Sequence, residues 1–235
     1  MSEQQRAGAG IDIDRDALPG GNQDVFNSLP VELKQCLERA GRVVLLANNP
    51  SITREDVQAL NIGADDVVVS FNLCIKSELL RPENVNVFVH GFNAPDYYFF
   101  GLPYRRDLQQ LIAHPRARCF TVLVGCALPL CPLPGVAAYW DRIPLPALWN
   151  YPRERPGGKR YVGPSTGFNA LVLLDWLRGH AGYGYRLLTL GFSNEAGKLW
   201  NGHAWEYERR WLLAADVEPV LLKPRTWWRK LLHWR

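Results

Sequence analysis

Two short segments of the 235-residue chain hold residue types at spacings that suit group transfer. The first is Tyr161 to Leu171, YVGPSTGFNAL, which runs directly into the apolar VLLDWL. A helix starting near Thr166 or Gly167 puts Ser165 and Thr166 in cap positions. Their hydroxyls, the free amides of the first turn and the positive end of the helix dipole then converge on one spot. That spot suits an anion: Gly167 lets a phosphate approach the backbone, and Pro164 fixes the direction of the incoming chain. Taken alone, the segment reads more readily as an ordinary capped helix, because Ser and Thr caps are common. The second segment is NGHAWEYERRWL, where His203 stands at or before the first turn of a helix and Glu208 follows five residues later. A histidine there can take a proton from a hydroxyl near neutral pH, and a neighbouring carboxylate would orient the ring and stabilise the imidazolium. In isolation, His203 with Glu206, Glu208 and Arg210 reads as a helix start followed by a solvated charge run.

The elements that must position these groups alternate along the chain. RVVLLA (Arg42 to Ala47), DVVVSF (Asp66 to Phe71), VNVFVH (Val85 to His90), CFTVLVG (Cys119 to Gly125) and YRLLTLGF (Tyr185 to Phe192) are short, rich in β-branched or aromatic residues and almost continuously apolar. Strands buried on both faces have that composition. Between and around them lie the helix-compatible stretches VELKQCLERAG, REDVQAL, YRRDLQQLIAH, GFNALVLLDWLRGH and HAWEYERRWLLAA. Strand and helix in alternation predict an α/β domain with a mainly parallel sheet flanked by helices. Ala127 to Pro156 breaks the pattern: it holds seven of the 17 prolines and is expected to be a long loop or lid.

In an open parallel sheet, ligands bind outside the carboxyl ends of the strands. The residues expected there are Asn48 and Asn49, Asn72, His90 with Asn93, and Ser193, Asn194 and Glu195. An amide side chain both donates and accepts, which suits a ribose or a pyrimidine edge and suits a divalent cation poorly. Each asparagine alone is explained by turn chemistry, and their recurrence at successive strand ends favours a polar ligand. The chain has no GxxxxGK[ST] and no GxGxxG after a strand, and the nearest thing to a DxD metal motif, DID at Asp12 to Asp14, falls in the lead-in. No metal site is expected.

Length and a 47% hydrophobic content predict one well-filled domain over residues 26–222, after a flexible lead-in at 1–25 and before a tail at 223–235. No apolar run reaches 18 residues and the first thirty residues hold no apolar signal core, so a cytoplasmic protein is expected. Five cysteines without a CxxC pair predict reduced, buried thiols. The tail KPRTWWRKLLHWR mixes cations, indoles and leucines, as interfacial helices do, and reads either as a peripheral contact with the inner membrane or as a packed helix with a basic face. Its basic residues concentrate at one end of the chain instead of spreading over a face, so no nucleic-acid partner is expected.

Together these segments resemble the sialyltransferase family, glycosyltransferase family 29, and they occur in that family's chain order. The large sialylmotif is matched by VVLLANNPS and then DVVVSFN, the small one by GPSTGFNAL and then LTLGF, and the very short one by HAWEYE with its His-x4-Glu spacing. The match spans roughly Val43 to Glu208. The resemblance implies a single Rossmann-like domain of the GT-A-variant type and a CMP-activated sugar used without a metal. It implies that Asn48 and Asn72, with Asn49 beside them, contact the CMP moiety. Ser165, Thr166 and Gly167 would hold its ribose and phosphate region, and His203 would be the general base with Glu208 as carboxylate partner. The donor implied is a CMP-ulosonic acid, sialic acid or 3-deoxy-manno-octulosonic acid (Kdo). The acceptor would be a saccharide or glycolipid, in bacterial surface polysaccharide or lipopolysaccharide synthesis. The chain departs from the family in three places. Cys74 has no partner cysteine in the small motif, Ser70 stands where the large motif has an arginine, and the family's further histidine has no evident holder unless His90 substitutes. Two rival readings remain: a hydrolase with Ser165 as nucleophile and His203 as base, which lacks a GxSxG elbow, and a nucleotide-binding protein without turnover.

Overall fold

In the computed structural model of the protein, residues 21–91, 105–124, 145–192 and 199–223 are described, with the backbone of short strands at 98–99, 102–103 and 136–139. The chain opens with helices α1 (Gly21–Ser28) and α2 (Val31–Arg39) and strand β1 (Arg42–Leu46). Helix α3 (Arg54–Ala59), β2 (Val67–Phe71), a 3-10 turn (Ser77–Leu79) and β3 (Val85–His90) follow. A two-stranded hairpin, β4 (Tyr98–Phe99) and β5 (Leu102–Pro103), precedes α4 (Arg106–Ile112), β6 (Arg118–Leu123) and β7 (Val136–Tyr139). The second half comprises α5 (Pro146–Trp149), α6 (Thr166–Ala181), β8 (Arg186–Leu190), α7 (Trp205–Ala214) and β9 (Glu218–Val220).

Seven strands form one sheet in the order β7-β6-β3-β2-β1-β8-β9, and every neighbouring pair is parallel. The fold is α/β and Rossmann-like, as the alternation predicts. Residues Val43 to Leu46 are all buried because helices cover both faces of β1. Burying one such Val or Leu side chain stabilises by roughly 1.5–3 kcal/mol, which is why the strands carry runs rather than alternation. One face packs on α1, α2, α6 and α7; the other packs on α3, the 3-10 turn and α4. Helix α6 is buried from Phe168 to Leu174 and again at Leu177, so it has almost no solvent side on which to shift.

Several expectations need correction. Ala127 to Pro156 is not one uninterrupted loop: it contributes strand β7 to the sheet and helix α5. Helix α1 begins at Gly21, ahead of the expected boundary at Phe26, and is anchored by the buried Val25. Strand β9 adds a sheet edge that no apolar run announces. Helix α3 starts with a reciprocal capping box between Thr53 and Asp56. The second carboxylate oxygen of Asp56 accepts the N–H of Lys223, 3.0 Å away, just beyond β9. Asn93, Ser193, Asn194, Glu195, Cys126, Cys131, the lead-in to residue 20 and the tail from residue 224 lie outside the described residues.

Candidate functional site

The strand order places β8 beside β1, while the chain leaving β1 travels the other way through β2, β3, β6 and β7. That reversal opens the crevice in which parallel sheets bind ligands, at the carboxyl ends of β1 and β8. The turn after β1 carries Asn48 and Asn49, the turn after β2 carries Asn72, and β3 ends at His90 and Gly91. Helix α6 runs back along the sheet, and its first turn meets these strand ends.

Within GPST, Gly163, Ser165 and Thr166 each have a different partner. Gly163 has φ +147°, a conformation that side-chain-bearing residues rarely adopt, and its carbonyl oxygen lies 2.6 Å from Nδ1 of His203. A carbonyl only accepts, so Nδ1 is the donor in this contact and Nε2 is the nitrogen left to act as a base. The ring is half-buried and stands edge-on to Trp200 at 4.6 Å and Trp205 at 5.1 Å.

Ser165 is the N-cap of α6. Its Oγ accepts the N–H of Phe168 at 3.1 Å and donates to Glu208 at 2.6 Å, and its own N–H donates to Glu208 at 2.9 Å. Glu208, buried near the start of α7, also accepts the hydroxyl of Tyr151 at 2.8 Å. Tyr151 in turn accepts the N–H of Ala204 at 2.5 Å. Burial, reinforced by the Glu208 carboxylate, pushes the Tyr151 phenol well above its usual range.

Two expectations are corrected here. Glu208 does not orient His203; a main-chain carbonyl does, and Glu208 instead fastens α7 to the cap of α6. The Ser165 hydroxyl is engaged in that cap and faces a carboxylate, which takes it out of the anion cradle and away from the nucleophile role of the hydrolase reading.

Thr166 and Gly167 are placed as the sequence suggested. Their N–H groups occupy the first two positions of α6, where a helix supplies no acceptor, and none of the described residues provides one. The Thr166 hydroxyl accepts Nδ2 of Asn72 at 3.0 Å, and Oδ1 of Asn72 accepts the N–H of Gly91 at 3.3 Å. Asn72 has φ +49°, the left-handed backbone conformation that this residue type tolerates in turns. Gly91 is required for the close approach: a Cβ there would come within 2.6 Å of the Thr166 hydroxyl. Gly167 serves packing as well, since a Cβ on it would stand 3.3 Å from the Phe192 ring.

The remaining asparagines differ from one another. Asn48 is exposed; it donates to the Phe71 carbonyl at 2.8 Å and accepts the Ile75 N–H at 3.1 Å, which leaves one amide hydrogen and one lone pair toward solvent. Asn49 is buried, donating to the Gly191 carbonyl at 3.0 Å and accepting the Ser51 N–H at 2.9 Å. It ties the β1 turn to the β8 turn and is corrected from ligand contact to structural clamp.

His90 is 1% exposed and burial holds its imidazole neutral down to about 4, so it does not replace a phosphate-contacting histidine. Ser70 is sealed between Leu46 and Phe88 of the flanking strands. Cys36, Cys74 and Cys119 are free thiols. Burial pushes the Cys119 thiol up to about 11 and that of Cys74 further, so neither is a ready nucleophile.

Nothing in the local sequence marks Tyr151 or Gly91 as a site-shaping residue, and Trp200 is one of nine tryptophans. Among the described residues no three His, Cys, Asp or Glu side chains gather in a way that could hold a metal ion, and no helix is long and apolar enough to cross a membrane. The fold and site define an α/β protein of Rossmann-like architecture with an open helix start at the switch point of its sheet. Compared with models of protein families, with curated proteins and with solved structures, the chain finds no match. The likeness to sialyltransferases therefore stands on the three motifs themselves.

Proposed function

We propose that the protein is an inverting, metal-independent glycosyltransferase that moves a CMP-activated ulosonic acid, sialic acid or Kdo, to a saccharide or glycolipid acceptor in bacterial surface polysaccharide or lipopolysaccharide synthesis. One observation carries the reading: a single segment, Gly163 to Gly167, fixes the tautomer of His203 at one end and presents open helix amides beside Asn72 at the other. A displacement at an anomeric carbon needs those two functions, a base for the incoming hydroxyl and a cradle for the departing phosphate.

In the proposed step, Nε2 of His203 takes the proton of the acceptor hydroxyl. The hydroxyl oxygen bonds to the anomeric carbon as that carbon's bond to the CMP phosphate oxygen breaks, and the bonding pair leaves on the phosphate. The N–H groups of Thr166 and Gly167 stabilise that developing charge, and the Thr166 hydroxyl with Asn72 and the free side of Asn48 read the nucleotide. Glu208 acts one step removed, by holding the cap that aims the amides.

Calorimetric titration with CMP, UDP, GDP and NAD, each with and without EDTA, tests the proposal. CMP binding that survives chelation supports it; preference for another nucleotide, or strict metal dependence, refutes it. In His203→Ala, transfer is expected to fall by at least about 100-fold while CMP affinity stays within a few fold. Wild-type turnover in that variant removes the base assignment.

A further inference from the structure

A cationic ribbon and three exposed apolar side chains meet at one corner beside His203. Residues 153–161 form an antiparallel ribbon: Tyr161 N–H donates to the Arg153 carbonyl at 2.9 Å, Arg155 N–H to the Lys159 carbonyl at 2.9 Å, and Glu154 bridges to Arg160. The ribbon carries Arg153, Arg155, Lys159 and Arg160 against the single acid Glu154. None of these cations forms an ion pair with the described residues. It is fastened to the turn at 199–203, because Arg155 donates to the Asn201 carbonyl at 2.8 Å and Val162 N–H to the Gly202 carbonyl at 2.8 Å. At this junction Val162 is 75% exposed, Leu199 41% and Trp200 52%. Trp200 lies against Gly202, receives the indole N–H of Trp205 at its carbonyl and stands edge-on to His203.

Single exposed apolar residues are ordinary, but three at one junction, beside cations that have no ion pair among the described residues, mark a contact surface. We infer that this corner is a docking surface for an anionic phospholipid bilayer. Val162, Leu199 and Trp200 enter the boundary between headgroups and acyl chains, and the ribbon's cations rest on the lipid phosphates. Interfacial segments combine indole, aliphatic and basic side chains in this way. A nucleic-acid strand calls for successive planar rings on which bases stack, and of these three side chains only Trp200 offers one. Docking through this corner turns His203 toward the bilayer, which selects a membrane-anchored glycolipid as acceptor; that consequence rests on the transferase reading, and the docking itself does not.

The test is cosedimentation of the full-length chain with phosphatidylglycerol/phosphatidylethanolamine vesicles and with phosphatidylcholine vesicles. Two variants accompany the wild type, R153E/K159E/R160E and V162S/L199S, each first checked for an unchanged melting curve. The substituted side chains are solvent-exposed, so the fold is expected to survive in both. The wild type is expected to bind the anionic vesicles in preference to the neutral ones. Charge reversal at three cations should weaken that binding by about 100-fold or more, at roughly fivefold per cation, and V162S/L199S should weaken it by about threefold or more. Undiminished binding in either variant, equal affinity for phosphatidylcholine, or no binding by the wild type overturns the inference. Vesicle binding needs neither donor nor acceptor, so its failure and a failed CMP titration are distinguishable.

Discussion

Removal of the Glu208 carboxylate would separate a cap-holding role from a base-orienting one. In Glu208→Ala, three buried or half-buried donors lose their acceptor: the Tyr151 hydroxyl, the Ser165 hydroxyl and the Ser165 N–H. An orphaned buried donor costs about 1–3 kcal/mol, with partial relief where water enters, so the loss of stability is expected at about 3–5 kcal/mol. For a chain of this size that lowers the melting temperature by roughly 10 °C. Glu208→Gln keeps the shape and one acceptor oxygen, but it sets an amide N–H against the Ser165 hydroxyl and removes the charge assistance, at a cost of about 1–2 kcal/mol. Urea denaturation of both variants, with Ser165→Ala and the Ser165→Ala/Glu208→Gln double variant, provides the measurement. If the pair acts as one device, the double variant loses clearly less than the two single losses combined. Additive losses, or a Glu208→Ala cost below about 1 kcal/mol, would falsify the cap assignment and return Glu208 to the neighbourhood of His203.

Two further outcomes follow from the geometry. Gly91→Ala forces a methyl against the Thr166 hydroxyl and is expected to cost about 1–3 kcal/mol and to weaken CMP binding; adding Thr166→Ala should restore stability but not affinity, and a harmless Gly91→Ala would show that the approach is not tight. Asp56 gives an acid-limb prediction. Burial alone would raise its pKa, yet the N–H groups of Lys223 and Thr53 and the Thr53 hydroxyl hold the carboxyl below its ordinary range. A depressed folded pKa contributes stability that is fully present above the unfolded value near about 4 and is lost as pH falls through the folded value. Stability curves of the wild type and Asp56→Asn should therefore lie apart at neutral pH and converge in acid, and parallel curves from about pH 6 to pH 3 would contradict the assignment.

The parallel sheet was legible because its five central strands are continuous runs of β-branched and aliphatic residues, a pattern only two-sided burial explains. The two edge strands were not. β9 is three residues long and contains Pro219, which an edge strand tolerates and an apolar-run search discards. β7 is four residues with two alanines inside a proline-rich stretch, so composition argued for a loop while pairing with β6 made a strand. In both cases the neighbouring strand decided, through hydrogen bonds that local sequence does not encode.

The site shows the same division at the scale of single side chains. His203 and Glu208 look like partners because they stand five positions apart, but α7 begins only at Trp205. His203 therefore lies ahead of the helix, outside the i,i+4 rows that bring side chains together, and is free to be held from elsewhere. Glu208 sits in the first turn of α7, where its carboxylate reaches the cap of α6 across 43 residues of chain. Spacing could propose that a carboxylate serves this segment; only the packing of α6 under α7 could say which atom it serves. The same packing explains why Ser165 is no better placed to bind a phosphate than to attack a substrate. A hydroxyl that already caps Phe168 and donates to a carboxylate has little left to offer, so recognition falls to Thr166, the two open amides and Asn72.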